Sequence, residues 1–166
     1  MNALFTDVDG VLNSADYMLH RKHLPRPTRH NIDALTVPRL NAITDRTGAV
    51  LVISSTWRLG HPVCWLAEVL RIHGVTGRVI DRTPSCFYDL PGGGCKRYER
   101  GVEIQAWLDR QPVACRPDQF VILDDESDMA HLRHRLVKTT WALGLLDEHV
   151  EQCVEMFNPP HKEKIR

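Results

Sequence analysis

The sequence predicts an α/β protein, a three-layer sandwich of helices around a mostly parallel central sheet. Two observations carry that reading. Three short, continuous apolar runs, at 3–6, 49–54 and 120–123, alternate along the chain with segments whose apolar residues recur at helical spacing. Each run also ends in polar residues suited to chemistry: DVDG after the first, SST closing the second, DD after the third. In such sheets the ligand sits beyond the carboxyl ends of the strands, so one shared site accounts for all three clusters.

The elements follow in order. ALFT (3–6) is a buried strand that runs into acid and glycine. Residues 13–36 read as an irregular basic insertion containing Pro25 and Pro27. From Pro38, which suits a helix's first turn, Leu40 and Ile43 mark a helix closed by Gly48. AVLVIS (49–54) is the second strand, apolar on both faces as a covered parallel strand must be. Val63, Leu66, Ala67 and Leu70 share a helical face ending near Gly74. A short strand is expected at 78–80. The stretch 82–100, with Pro84, Pro91 and Gly92 to Gly94, reads as a loop. A helix over 101–110 would bury Ile104, Trp107 and Leu108. FVIL (120–123) is the third clear strand, 136–137 another short one, and 147–157 a closing helix with Val150, Val154 and Phe157 inward.

Composition narrows the function classes. The 166 residues fit one domain, 1–166, with 43% hydrophobic and 25% charged residues, enough for a core. Lys+Arg and Asp+Glu are each 21, so global charge makes no case for nucleic-acid or membrane binding. No apolar run approaches the roughly 20 residues of a membrane span. No basic stretch leads into an apolar segment at the N-terminus, so a secretory signal is not expected. The five cysteines are odd in number and lack a CxxC pair, which reads as reduced thiols in a cytoplasmic protein. Cys86, Cys95 and His61 lack the tight spacing of a zinc site.

The chemistry-bearing residues begin with LFTDVDGVLN (4–13). Asp7 and Asp9 tend to share a side if the extended conformation continues, and Gly10 lets the backbone turn sharply toward a ligand. A calcium loop with Gly10 in sixth place would put Phe5 first, where an oxygen ligand is required, so that reading fails. DxDG on its own is equally compatible with an acidic turn after a strand.

The segment resembles the first motif of the haloacid dehalogenase (HAD) superfamily. The resemblance implies a Rossmann-like fold, with Asp7 as the nucleophile that forms an aspartyl-phosphate. Asp9 would be the acid that protonates the leaving oxygen and then activates water, its backbone carbonyl also binding magnesium. VISSTWR (52–58) resembles the second motif, with Ser54 as the hydroxyl that contacts the phosphoryl group and Ser55 and Thr56 as adjacent candidates. Arg58 could reach phosphate, but reads first as an exposed, solvated side chain. The superfamily's cation precedes the helix before the last acidic strand; Arg100 occupies that position, and Lys96 and Arg97 are rivals. FVILDDESDM (120–129) resembles the acidic motif. It implies Asp124 and Asp125 as Mg2+ ligands and Asp128 as a residue that orients metal waters or pairs with Arg100. Four carboxylates, at 7, 9, 124 and 125, would repel strongly without a divalent ion among them.

Neither insertion, at 13–36 or 74–99, has the helical pattern of a folded cap, so a bulky or polymeric substrate could enter. LHRKHLPRPTRH (19–30) carries Arg21, Lys22, Arg26 and Arg29 with no acid, either a solvated basic loop or a backbone-phosphate contact. His131 and His134 read as helix-surface residues. The spacing also looks like that of the compact HAD domains associated with RNA-repair proteins, although no GxxxxGK[ST] loop is present. The expected substrate is thus a phosphomonoester, a small molecule or a nucleic-acid end. The alternatives are a receiver-like phospho-acceptor domain, whose motif order is different, and a HAD-fold binding protein without activity.

Overall fold

The computed structural model describes residues 1–23 and 30–159. In chain order it forms β1 (Asn2–Thr6), α1 (Ala15–His20), α2 (Val37–Thr47), β2 (Val50–Ile53), α3 (Val63–Ile72) and β3 (Val79–Arg82). Then follow β4 (Phe87–Asp89), β5 (Cys95–Arg97), α4 (Arg100–Arg110), β6 (Gln119–Asp124), β7 (Leu136–Lys138) and α5 (Asp147–Phe157). Five strands form one sheet in the order β3-β2-β1-β6-β7, every neighbouring pair parallel. This is the Rossmann-like α/β sandwich that the alternation of runs predicts.

The continuous apolar character of the inner strands follows from the two faces they bury. Successive side chains along a strand point to opposite faces. Ala3 and Phe5 of β1, Val50 and Val52 of β2 and Ile122 of β6 pack with Ile104 and Trp107 of α4 and with Met129 and Leu132. Phe5 meets the edge of Trp107 at 5.3 Å between ring centroids. The intervening residues, Leu4, Leu51, Ile53, Val121 and Leu123, face a second cluster with Leu40 and Ile43 of α2, Leu66 and Leu70 of α3, and Val150 and Phe157 of α5. Each such buried side chain contributes roughly 1.5–3 kcal/mol.

Register is what positions the site. Thr6 pairs with Ile53 on one side and Leu123 on the other, so these residues of the three inner strands lie at one level. The next residues are Asp7, Ser54 and Asp124.

Two expectations need correction. The 13–36 stretch is not irregular throughout: Ser14 caps α1, its hydroxyl accepting from the Tyr17 N–H at 3.2 Å. Arg26 and Arg29 of the basic stretch, with the Lys22 side chain, lie outside the described residues. The 82–100 stretch is a β-hairpin rather than a loop, with β4 antiparallel to β5 in the register Tyr88 to Lys96. Its Gly92–Gly94 tip supplies the turn, and Tyr88 packs on Tyr98 at 4.7 Å. That hairpin is the whole of the elaboration between β3 and α4, so among the described residues there is no large cap. Among the described residues, no helix is long and apolar enough to cross a membrane.

Candidate active site

Asp7 leaves β1 with its backbone N–H still bonded to Leu123 O at 3.0 Å, which fixes it beside the end of β6. Its carboxylate is buried. Oδ1 accepts from the Val8 N–H at 2.6 Å and Oδ2 from Arg100 Nη1 at 2.7 Å. The same Arg100 nitrogen donates to Ser54 O at 2.8 Å and lies 3.2 Å from Asp124 Oδ2. One guanidinium therefore joins the ends of β1, β2 and β6. Burial opposes its charge, but Asp7, Asp124 and Asp128 outweigh that and hold it above its ordinary value. Arg97 instead pairs with Glu103 at 3.4 Å, and Lys96 is exposed on β5.

Arg100 reaches this position because α4 begins hard against the segment after β6. Asp128 accepts from the backbone N–H of Arg100 through Oδ2 and from that of Gly101 through its carbonyl, both at 3.0 Å. A Cβ at Gly101 would overlap the Met129 carbonyl, so only glycine permits the approach. Asp128 thus holds Arg100 by its main chain, not by pairing with the guanidinium.

Gly10 plays a similar part in the opposite loop. At φ +86° it lies where side chains are strained, and a Cβ there would overlap the Asp125 carboxyl. Its carbonyl accepts from Thr139 Oγ1 at 2.7 Å, while the Thr139 N–H is bonded to Asp124 O at 3.0 Å. Thr139, just past the end of β7, ties the acidic loop to the DVDG loop. A polar residue at a strand's carboxyl end was its signal in the sequence.

Asp7, Asp124 and Asp125 each offer a carboxylate oxygen, all within 4.8 Å of one another. Burial pushes the Asp124 carboxyl up to about 7 against the pull of Arg100, with Asp7 adding to the rise. Asp125 is raised by burial and then by Asp7. Crowded, partly desolvated, all-oxygen donors fit a hard divalent cation such as Mg2+, which would relieve that repulsion. The crowding involves three carboxylates rather than four. Asp9 stands apart, Oδ2 accepting from Trp57 Nε1 at 2.9 Å and Oδ1 from Asn13 Nδ2 at 3.1 Å.

The hydroxyl candidates separate. Ser54 Oγ is buried with no hydrogen-bond partner among the described residues, which leaves a donor for a ligand oxygen. Ser55 Oγ accepts from the Trp57 N–H at 3.3 Å and caps the short 3-10 turn 56–59. Thr56 is exposed beside Asp9.

Arg58 is the clear departure from the sequence reading. It is 1% exposed, not solvated. Its guanidinium donates to the Ser54 carbonyl, to Ser55 O at 2.8 Å and to Glu103, itself fully buried on α4. Burial lowers the Arg58 guanidinium to about 10 despite Glu103, with Arg100 and Arg97 lowering it further. Arg58 braces the turn that carries Ser54. Trp57, Asn13, Glu103 and Thr139 are the supporting residues that sequence reasoning missed. His131 and His134 are exposed, as expected.

Residues 3–150 match the protein family described as "HAD domain in Swiss Army Knife RNA repair proteins". No curated protein matches the chain.

Proposed function

Because the chain belongs to the family of HAD domains in Swiss Army Knife RNA repair proteins, and that superfamily is generally one of hydrolases, we propose that it is a magnesium-dependent phosphatase acting through an aspartyl-phosphate. The observation that carries this reading is the meeting of Asp7, Asp124 and Asp125 within 4.8 Å, with Arg100 on Asp7.

In this reading the Asp7 carboxylate attacks phosphorus, and the bond to the leaving oxygen breaks as the acyl phosphate forms. Asp9 gives the leaving oxygen a proton, then takes one from the water that hydrolyses the acyl phosphate. Arg100 and the Ser54 hydroxyl hold phosphoryl oxygens. Magnesium held by Asp7, Asp124 and Asp125 would offset negative charge between these carboxylates and the phosphoryl group. The proposed substrate is a phosphorylated nucleic-acid end, supported by the family's description and by the lack of a large cap among the described residues. The receiver-like reading is set aside by the family.

The test is phosphate release from an aryl phosphate, nucleoside monophosphates and oligoribonucleotides phosphorylated at either end, with magnesium or with EDTA. Release from phosphorylated ends, lost in EDTA and restored by magnesium, is the expected result. Magnesium-dependent turnover confined to small phosphates would move the substrate to a metabolite. Turnover on none of them would leave a binding protein with a hydrolase fold.

A further inference from the structure

Beside Asp9 lies a pocket of about 260 Å³, lined by Asp9, Arg21, His30, Thr56, Trp57 and His61. The proposed chemistry accounts for Asp9 alone among these. Three of the others, His30, Trp57 and His61, form an aromatic cluster with Trp65 from two distant parts of the chain. His61 stacks on Trp65 at 3.7 Å with the rings 17° apart. His30 sets its ring edge-on to Trp57, His61 and Trp65, at 5.1, 4.8 and 4.6 Å. His30 and His61 approach through their Nε2 atoms at 3.1 Å, so one holds a proton that the other accepts. All four rings are only half-buried: His30, Trp57 and His61 line the pocket, while Trp57 and Trp65 also pack against the core and so anchor the cluster.

Such an arrangement has the features of a stacking platform: aromatic surface for a planar ring, with polar atoms at the rim to meet its edges. Arg21 and Thr56 line the pocket beside these rings and are the polar side chains for that role. Position decides which part of a substrate enters. Asp9 borders the pocket, and its Oδ2 is held by the indole of Trp57, itself part of the wall. If Asp9 protonates the leaving oxygen, whatever the pocket holds is attached to that oxygen. The cavity has room for a single planar heterocycle, and only a base that is not stacked in a duplex can lay its face on these rings.

We propose that this pocket binds the unpaired nucleobase of the nucleotide that carries the scissile phosphate. The inference rests on the phosphatase reading only for which side of the phosphate the leaving group lies.

Two measurements keep the two readings apart. In the first, kcat/KM is compared for an oligoribonucleotide whose phosphorylated terminal residue carries adenine and for one whose terminal residue is abasic. The base-bearing substrate is expected to be favoured on the order of tenfold, the scale of one base–aromatic stack. His61→Ala should erase most of that preference while its thermal unfolding midpoint stays near that of the parent protein. Equal kcat/KM on the two substrates in the parent protein would overturn the proposal, whether or not the variant folds. In the second, adenosine and ribose are titrated into the full chain by calorimetry, which needs no turnover. Binding of adenosine but not ribose, weakened in His61→Ala, supports the pocket even if no phosphate is ever released. Indistinguishable responses to the two would overturn it.

Discussion

Asp7→Asn is expected to lower magnesium-dependent phosphate release by on the order of 10³-fold or more, the scale on which loss of a catalytic nucleophile is felt. The substitution is nearly isosteric, so the fold should survive. The amide oxygen still accepts from the Val8 N–H, and the remaining carboxylates, Asp124 and Asp128, keep Arg100 in a negative setting. What is lost is the nucleophilic oxygen beside Arg100 Nη1. Parallel circular dichroism and activity assays check this: an unchanged fold with residual activity near the parent level would remove Asp7 from the nucleophile's place.

Glu103→Ala is expected to cost about 3–5 kcal/mol of stability, because it strands a buried guanidinium without its counter-charge. Arg58 and Glu103 are 1% and 0% exposed at the side chain, so water cannot replace the missing carboxylate. Glu103 also accepts from the Cys86 N–H at 3.0 Å and pairs with Arg97. Its loss therefore loosens the approach to the hairpin as well as the turn that carries Ser54. Urea denaturation reads the effect as a fall in midpoint at unchanged slope. A shift under about 1 kcal/mol, the scale of an exposed pair, would mean that the brace is not buried in solution.

The two substitutions also mark where the sequence was legible. Asp7, Ser54 and Asp124 could be read because each follows an apolar run, and parallel register brings the ends of such runs to one level. The family resemblance added roles to positions the strand pattern had already grouped. Arg58 and Glu103 could not be read in that way. Their pairing joins residues 45 positions apart, and a charged residue in a turn ordinarily faces water. The one signal was Glu103 beside Ile104 and Trp107, an acid on the face of α4 that the sheet buries. Trp57 was likewise visible only as a letter within VISSTWR. Its bond to Asp9 depends on how the 3-10 turn after β2 faces the DVDG loop. The 82–100 hairpin was hidden by its own turn chemistry, since Pro84, Pro91 and three glycines outweigh two strands of three residues each.

The central claim is that Asp7 becomes covalently phosphorylated. An acyl phosphate is reduced by borohydride to an alcohol, which turns aspartate into homoserine. Protein quenched during magnesium-dependent turnover on the best substrate of the panel, reduced and mapped by peptide mass, should carry homoserine at position 7 and nowhere else. It should carry none when substrate or magnesium is omitted. Turnover with no homoserine at position 7, or with homoserine at Asp9, Asp124 or Asp125 instead, would contradict the account.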